Sequence, residues 1–348
     1  MATLRDISKH LGLSPATVSR ALNGFPEVNE ATRARVIEAA KQLNYRPNQI
    51  AQKLVTGRSN LVGLVVKRPR AMALDTTFFG VVGGISASLA ARNVDLVLHA
   101  AVDEDDVEPY RRLVSKGILD GFILNGPIPG DARITFLTER GVPFVVHGRT
   151  GADAPFDYFD LDNESVSALS VDLLCDLGHA RIALVGGPQS LAYAVERRAG
   201  FVQRMSARGL TAPAAFMMEG PANEATGYTA TLRALGGGLG APPTAFICAS
   251  MSVAVGVLRA VADKGLRVPD DISVIAHDDD VPLFPADSFS TPLTTTWSPL
   301  TQACEPLADI LLTRIEHPEH DVIQRRIQPQ LVMRRSTGPV PRGGASAW

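Results

Sequence analysis

Residues 13–24 read LSPATVSRALNG, and this stretch predicts a short helix with a defined beginning. Ser14 can cap the helix, and Pro15 can take its first position, where the missing N–H has no helical partner to lose. Val18 and Ala21 lie on one apolar stripe, which leaves a short polar face on the opposite side. Pro15, Ala16, Thr17, Ser19 and Arg20 are therefore expected on or near this polar face.

A further helix is predicted on each side of this stretch. The first helix, residues 4–11, is indicated by apolar residues at helical spacing, Leu4, Ile7 and Leu11. Thr3 caps this helix and Gly12 ends it. A third helix follows Asn29 and buries a stripe made of Val36, Ala40 and Leu43. Two short helices joined by a tight turn, the second carrying an arginine, form a helix-turn-helix.

The charge of the chain is unevenly distributed. The whole chain has 34 basic and 36 acidic side chains and a net charge of −2. Residues 1–59 hold nine lysines and arginines and four acids, a net charge of +5, so the remainder carries −7. A basic head on an acidic body is typical of a nucleic-acid-binding module joined to another domain. Salt screens charge beyond about 8 Å, so the acids of the body leave the head able to bind a polyanion.

Two stretches carry a resemblance to a known family: LRDISKHLGLSPATVSRALNG (4–24) and VNEATRARVIEAAKQLNYRPNQIAQKL (28–54). They resemble the amino-terminal region of the LacI/GalR family of bacterial transcriptional regulators. The resemblance implies that the second helix lies in the major groove of DNA. Pro15, Ala16 and Arg20 would then face base edges, and Arg20 suits bidentate donation to a guanine. Thr17 and Ser19 would bind phosphate oxygens, which fixes the register without reading the sequence.

Residues 47–60 predict a hinge. Pro47 breaks the third helix, Asn48 can cap a new short one, and Gly57 stops it. Isolated helices this short are marginal in water, so we expect this segment to be disordered when free and helical on DNA. The family resemblance implies that Leu54 inserts into the minor groove as a wedge that bends the duplex. The alternative interpretation is a plain linker.

From residue 61 onwards, short apolar runs alternate with helical stretches. The predicted strands are 61–66, 94–100, 121–125, 143–148, 181–187, 245–250 and 272–277. The predicted helices are 79–92, 106–116, 132–140, 164–178, 192–208, 224–236 and 252–265. Repeated β-α units predict parallel sheets with helices on both faces, and this many strands favours two sheets over one.

The stretches LGHARIALVGGP (177–188) and GLRVPDDISVIAHDD (265–279) resemble the effector domain of the same family, which shares its fold with periplasmic sugar-binding proteins. The predicted architecture is therefore multidomain, an all-α helix-turn-helix head followed by a two-lobed α/β domain. The predicted segments are a DNA-binding domain (1–46), a hinge (47–60), an effector-binding domain (61–335) and a flexible tail (336–348). Within the effector domain, the first lobe is predicted as 61–160 with 293–320, and the second as 161–292 with 321–335.

Ligands of open α/β sheets bind beyond the carboxyl ends of the strands, and in two lobes these ends face each other across a cleft. Asp278 follows a predicted strand and could accept hydrogen bonds from two sugar hydroxyls. Arg197 matches the family's arginine for sugar hydroxyls. The remaining candidates lie at strand ends or on nearby loops and helices: Asp75, Phe79, Asn125, Arg149 and Ser250. For each candidate, a salt bridge between the lobes, a core position or a solvated surface position remains the alternative.

The candidate cleft departs from the family pattern in two places. Ser250 and Met251 stand where the family commonly has Asn-Asp, which removes an amide and a carboxylate from the site. Ala222 stands where an aromatic residue is frequent. We therefore expect a different ligand, or a different mode of binding, from that of the best-known members.

The chain is expected to be a cytoplasmic, nucleoid-associated regulator, most simply a repressor of a carbohydrate uptake or catabolism operon. Its expected partners are a palindromic operator, a second copy in a homodimer and a small saccharide such as an α-glucoside, with no membrane. The tail TGPVPRGGASAW (337–348) lacks a leucine heptad, so a coiled-coil tetramer is not expected. The alternatives are a sugar-binding protein without a regulatory role and a regulator that responds to a non-sugar metabolite.

Other classes find little support in the sequence. The three cysteines are far apart and lack CxxC spacing, so neither a disulfide framework nor a zinc site is expected. The run HDDD (277–280) lacks further metal ligands at useful spacing, and no cofactor is expected. GVVGGI (80–85) is not GxGxxG and falls within a predicted helix, so a nucleotide-dependent enzyme is not expected.

Overall fold

The computed structural model describes residues 2–45, 57–67, 76–101, 105–151, 155–238, 240–280 and 282–341. The chain divides into two compact units. The first unit, the head, comprises residues 1–61 together with 118–120, and the second unit, the body, comprises the rest of the chain. Each unit has its own hydrophobic core.

The head contains three helices, α1 (Leu4–Leu11), α2 (Pro15–Leu22) and α3 (Glu30–Gln42). The predicted caps are present. The Asp6 carboxylate accepts from both the backbone N–H and the hydroxyl of Thr3, each at 2.8 Å, and Gly12 ends α1 with a φ of 65°. The backbone N–H of Thr17 donates to Ser14 Oγ at 3.1 Å. The start and end of each short helix are therefore fixed by local hydrogen bonds.

The three helices bury a small core between them. It is made of Ile7, Val18, Ala21, Val28, Val36, Ala39 and Ala40. The predicted stripes therefore face inward, with Leu43 packed at the margin of the core. Because both α1 and α3 cover the apolar side of α2, its opposite face is presented to solvent.

The first sheet of the body has six strands. In spatial order they are β11 (Gln324–Ile327), β5 (Tyr158–Leu161), β4 (Phe144–His147), β3 (Gly121–Asn125), β1 (Leu61–Lys67) and β2 (Asp95–Ala101). The ladders that join β1 to β3, β3 to β4, β4 to β5 and β5 to β11 are parallel. The helices of this lobe are α4 (Thr76–Ala90), α5 (Glu108–Lys116), α6 (Ala132–Glu139) and α11 (Cys304–Glu316).

The second sheet also has six strands. In spatial order they are β12 (Gln330–Val332), β10 (Thr294–Trp297), β9 (Ser273–Asp278), β8 (Ala245–Cys248), β6 (Ile182–Val185) and β7 (Met217–Met218). Only β12 runs antiparallel to its neighbour among these strands. The helices of this lobe are α7 (Asn163–Asp176), α8 (Ala192–Ala207), α9 (Glu224–Leu235) and α10 (Met251–Asp263).

Strand β6 shows how helices cover both faces of the second sheet. Ala183 and Val185 join the cluster beneath α9 and α10, whereas Ile182 and Leu184 join the cluster beneath α7 and α8. Successive side chains of a strand point to opposite faces, so a strand buried on both sides reads as a continuous apolar run. The apolar runs in the sequence therefore identified these strands correctly.

The chain passes between the two lobes at residues other than the lobe boundaries predicted from the sequence. Residues 293–297 were assigned to the first lobe, but β10 pairs with β9 in the second sheet. Residues 321–327 were assigned to the second lobe, but β11 pairs with β5 in the first sheet. Both strands lie near crossings, and neither has the long apolar run that would show which sheet it joins.

The prediction of a flexible tail is wrong for residues 336–341. The Ser336 hydroxyl donates to the carbonyl of Val274 at 2.6 Å, and the Val340 N–H donates to the carbonyl of Leu177 at 2.9 Å. His179 Nε2 lies 3.0 Å from the carbonyl oxygen of Gly338. These contacts hold the segment on the second lobe, while residues 342–348 lie outside the described residues.

Candidate functional site

The solvent-facing side of α2 carries the residues predicted to contact DNA. Pro15, Ala16 and Arg20 are exposed, and Thr17 and Ser19 are half-buried. Within the described residues, no hydrogen bond or ion pair engages the Arg20 side chain. Its guanidinium is therefore available to an external acceptor.

The two hydroxyl residues of α2 already take part in local hydrogen bonds. Thr17 Oγ1 lies 2.9 Å from Ser14 Oγ, and the side-chain amide of Asn23 donates to the carbonyl of Ser19 at 2.9 Å. These contacts orient the face of α2. Asn48 and Leu54, which the sequence assigned to the hinge, lie outside the described residues.

The basic side chains of helices α1, α2 and α3 divide into a surface set and a structural one. The exposed members are Arg5, Lys9, Arg20, Arg35 and Lys41. Arg33 is half-buried instead, and its guanidinium donates to the carbonyl of Phe25 at 3.0 Å and to Glu30 at 3.1 Å. Arg33 therefore holds the turn between α2 and α3, while the other cations give the head surface its positive charge.

A second candidate site lies in the body, where neighbouring parallel strands of the first sheet end. Asn125 ends β3 and His147 ends β4, directly opposite each other in the ladder. His147 Nδ1 lies 3.0 Å from Asn125 Oδ1. Burial lowers the pKa of His147 to about 4, so its imidazole is neutral at neutral pH. When Nδ1–H donates to the Asn125 carbonyl oxygen, Nε2 is left as a hydrogen-bond acceptor.

Arg149, just beyond β4, joins the two lobes. Its Nε lies 3.1 Å from Asp160 Oδ2 on β5 and 3.1 Å from Glu196 Oε1 on α8. All three side chains are largely buried. Burial raises the pKa of Asp160 to about 6, against the effect of Arg149, and burial and the nearby Asp160 raise the pKa of Glu196 to about 7.

Arg197 follows Glu196 on α8. Its Nε donates to Asn163 Oδ1 at 2.9 Å, and its Nη1 donates to the carbonyl of Ala249 at 2.9 Å. The guanidinium carbon lies 5.1 Å from the centre of the Tyr193 ring, within the range of a cation-π interaction. The crossing into α7, the end of β8 and α8 itself therefore all position this side chain.

The acidic side of the cleft centres on Asp279 rather than on Asp278. His277 Nε2 lies 3.1 Å from Asp279 Oδ1. Burial alone would raise the pKa of Asp279, but His277, Arg197 and His147 outweigh it and hold the pKa below its ordinary value. The Asp278 carboxylate instead accepts from the backbone N–H of Asp280 at 2.9 Å, and burial raises its pKa.

The structure therefore brings together three of the seven sequence-based candidates: Asn125, Arg149 and Arg197. Asp278 lies beside the site but makes a turn contact.

The other candidates have different surroundings. Ser250 caps α10, its Oγ accepting from the Val253 N–H at 3.3 Å, and Met251 is buried in the core. Phe79 lies on α4 with 55% of its surface exposed. Asp75 lies outside the described residues.

Sequence reasoning missed several side chains that complete this cluster: His147, Asp160, Asn163, Glu196, His277 and Asp279. The rule that selected Asn125, a polar residue at the end of a buried strand, applies equally to His147. Asp279 lies in the same HDDD run as the chosen Asp278, whereas Asp160, Asn163 and Glu196 gave no comparable signal because their role depends on contacts with Arg149 and Arg197. In the described part of the chain, no cluster of potential ligands could hold a metal ion, and no helix is long and apolar enough to cross a membrane.

A helix-turn-helix head with a basic surface, joined to a two-lobed α/β domain whose lobes both contribute to a polar cluster, defines a DNA-binding regulator with a ligand-binding domain. The comparisons agree with this class. Residues 3–48 match the model for bacterial regulatory proteins of the lacI family, and residues 171–337 match a periplasmic binding protein-like domain.

Individual relatives cover nearly the whole chain. The HTH-type transcriptional regulator AglR of Rhizobium meliloti (strain 1021) is 38% identical over 343 residues, 97% of this chain and 95% of that protein. The structure of the lac repressor dimer bound to operator and the anti-inducer ONPF has a TM-score of 0.81 at 28% identity, covering 97% of this chain and 99% of the other. The complex of the transcriptional regulator CelR with cellobiose has a TM-score of 0.72 at 27% identity, covering 97% and 100%.

The chain belongs to the lacI family of bacterial regulatory proteins. Like these relatives, it is a helix-turn-helix transcriptional regulator rather than an enzyme.

Proposed function

We propose that this protein is a homodimeric repressor of a carbohydrate uptake or catabolism operon, located with its DNA in the cytoplasm. It binds a palindromic operator through α2 and responds to an uncharged saccharide, such as an α-glucoside, in the cleft of the body. The observation that carries the proposal is the set of hydrogen-bonding groups that both lobes direct to one place: His147 and Arg149 from the first lobe, and Arg197 and Asp279 from the second.

The chemistry of this cleft suits hydroxyl groups. A hydroxyl donates one hydrogen bond and accepts others. The ionised Asp279 and the neutral His147 can accept, while the arginines can donate. Tyr193 adds an aromatic surface next to Arg197. Such a mixture of donors and acceptors fixes a polyhydroxylated ligand in one orientation.

On the DNA side, we propose that α2 enters the major groove. Arg20 would donate to a guanine, with Pro15 and Ala16 against base edges and Thr17 and Ser19 on phosphates. The exposed position of Arg20 supports this role. Two heads in a dimer would match the two halves of a palindrome by symmetry. We propose further that residues 47–60, with Asn48 and Leu54, form a hinge on DNA that couples ligand binding to operator affinity.

The relatives support the same effector class. CelR is a regulator with cellobiose bound, and its fold matches almost the whole of this chain. The alternative effector is a non-sugar metabolite.

A thermal-shift screen tests the proposal. The purified full chain is heated with maltose, melibiose, cellobiose, sugar phosphates and purine bases, and a ligand of the folded state raises the melting temperature by mass action. We expect an uncharged disaccharide to raise it, and we expect D279N to abolish the shift. S288A, which changes an exposed hydroxyl on the second lobe, is the matched control and keeps the response. A response only to purine bases overturns the saccharide assignment.

A further inference from the structure

The Arg149 guanidinium is held through its Nε alone, by carboxylates from both lobes. Its side chain is 8% exposed, and its Nε donates to Asp160 at 3.1 Å. Glu196 approaches the same Nε from the other lobe. Within the described residues, neither of its two terminal nitrogens donates a hydrogen bond to protein. The two terminal nitrogens of this largely buried side chain are therefore available to an external acceptor.

Carboxylates outnumber arginines around this guanidinium. Asp160 and Glu196 contact Arg149 directly. Nearby, Arg326 already pairs with two further carboxylates, those of Asp162 at 2.6 Å and Glu164 at 3.5 Å. Arg197 also faces Asp160 and Glu196, and the carboxylate of Asp279 faces Arg197 in turn. With these groups included, five carboxylates surround three arginines, so the cluster offers directed N–H groups without a net positive charge.

We propose that Glu196, together with Asp160, acts as a charge filter that makes Arg149 a donor for uncharged hydroxyls and rejects anionic sugars. This proposal rests on the proposed function, because it assigns the selectivity of the same saccharide cleft. A hydroxyl oxygen needs only a donor, whereas a carboxylate or phosphate oxygen brings a charge that the acidic pair repels. Neither Asp160 nor Glu196 was among the sequence-based candidates.

Glu196 contributes through Arg149 and is a positioning residue. It lies on α8, in the second lobe, whereas Arg149 and Asp160 lie in the first. The filter is therefore complete only when the lobes place Glu196 against Arg149. A variant without the Glu196 charge keeps the Asp160 contact, so Arg149 stays in position and its positive charge becomes available to an anion.

The raised pKa of Glu196 gives a test in the unmodified protein. Burial and the negative charges of Asp160 and Glu164 raise this pKa to about 7, against the effects of Arg149 and Arg326. Lowering the pH from about 8 to about 6 protonates Glu196 and removes one negative charge from the cluster. Asp160, with a pKa of about 6, begins to protonate over the same range and acts in the same direction. The affinity for an anionic sugar should therefore rise as the pH falls.

The experiment measures dissociation constants by calorimetry on the full-length protein. The probes are maltose, melibiose and cellobiose, and the uronic acids made from them by oxidising the terminal CH2OH to a carboxylate. The variants are E196Q and, as a matched control, E224Q, which removes a carboxylate from the exposed Glu224–Arg259 pair. A second variant, D160N, tests the other half of the filter. Melting temperatures and binding to duplex DNA check that each variant is folded.

We expect the unmodified protein at about pH 8 to prefer the uncharged sugar, and E196Q to bind the matching uronic acid about tenfold tighter than the unmodified protein does. E224Q should leave both affinities unchanged, and the pH dependence of uronic acid binding should weaken in E196Q. The filter is overturned when the uncharged sugar binds but neither E196Q, D160N nor lower pH improves uronic acid binding. Failure of every uncharged sugar to bind the unmodified protein instead overturns the proposed effector class, and the filter with it.

Discussion

Asn163 Oδ1 accepts a hydrogen bond of 2.9 Å from Arg197 Nε, and Asn163 is the first residue of α7, directly after the chain passes from the first sheet towards the second. The side-chain amide of Asn163 also donates to the carbonyl of Leu161, the last residue of β5, at 3.0 Å. One side chain thus ties the crossing between the lobes to the arginine that we assign to the ligand. We therefore expect a ligand that contacts Arg197 to affect this crossing.

Replacing Asn163 with alanine should weaken ligand binding and its effect on DNA. The Arg197 guanidinium loses an acceptor, and a hydrogen bond to a charged group contributes about 1.5–3 kcal/mol, or about tenfold to hundredfold in affinity. Calorimetry with the sugar that binds the unmodified protein measures the loss. Asn223→Ala is the matched control, because Asn223 caps α9 through the Thr226 N–H. Equal sugar affinities in the two variants would contradict the assigned role of Asn163.

Replacing Arg20 with alanine should reduce binding to the operator far more than binding to random duplex DNA. A bidentate contact to guanine discriminates by about 1–3 kcal/mol, whereas phosphate contacts serve all sequences alike. Gel-shift competition between operator and random duplexes measures the ratio. Arg35→Ala on α3 removes an exposed cation of the same head and should lower both affinities similarly. If Arg20→Ala lowers both affinities by the same factor, Arg20 reads no base.

Replacing Gly227 with alanine should destabilise the second lobe by about 1–3 kcal/mol or more, the usual cost of overpacking. A Cβ at this position would overlap the carbonyl oxygen of Val253, where α9 and α10 pack closely. The same change at Gly83 in α4, where a Cβ meets no atom within 4 Å, should stabilise the protein by about 0.5–1 kcal/mol. Urea denaturation measures both changes, and an unaltered unfolding free energy for Gly227→Ala would contradict the close packing.

Replacing His147 with glutamine should make the protein less sensitive to acid. Burial lowers the folded-state pKa to about 4, below the ordinary value of 6.5, so the unfolded chain binds the proton more readily between these values. Stability is therefore lost as the pH falls from 6.5 towards 4, by up to roughly 3 kcal/mol. Asp160 and Glu196, whose pKa values are raised, oppose this trend, so the difference between the two proteins is the measured quantity.

Urea denaturation at a series of pH values gives this difference. The unfolding free energies should differ by a constant amount above the ordinary pKa of histidine, and the variant should gain relative to the unmodified protein at lower pH. A difference that stays constant down to about pH 4 would show that His147 does not titrate with a lowered pKa.

The sequence predicted the elements that local rules determine. Thr3, Gly12 and Ser14 mark the ends of short helices through caps, and the apolar runs of β6, β8 and β9 identify buried strands. Parallel sheets followed from the alternation of these runs with helices. The strands β10 and β11 read TTTW and QRRI, without an apolar run to indicate their sheet, and both were assigned to the wrong lobe.

The site could be predicted only in part, for a physical reason. Asn125 was visible because it ends a buried strand, and Arg197 because of the family resemblance. Glu196 and Asn163 matter through distant partners, Arg149 and Arg197, which only the folded chain brings within 3.1 Å and 2.9 Å. Ser250 looked like a ligand-binding residue, but it is also a helix cap, and a polar residue after a strand fits either role.

Operator affinity measured with and without sugar tests most directly whether a saccharide bound in the body controls DNA binding. A duplex selected by the protein from random sequences is labelled, and fluorescence anisotropy gives its dissociation constant in the absence and presence of a saturating uncharged disaccharide identified by thermal shift. We expect operator affinity to change about tenfold for the unmodified protein, within the usual range of allosteric coupling, and to stay unchanged for D279N. An unchanged operator affinity, with the sugar bound in the cleft, would contradict it.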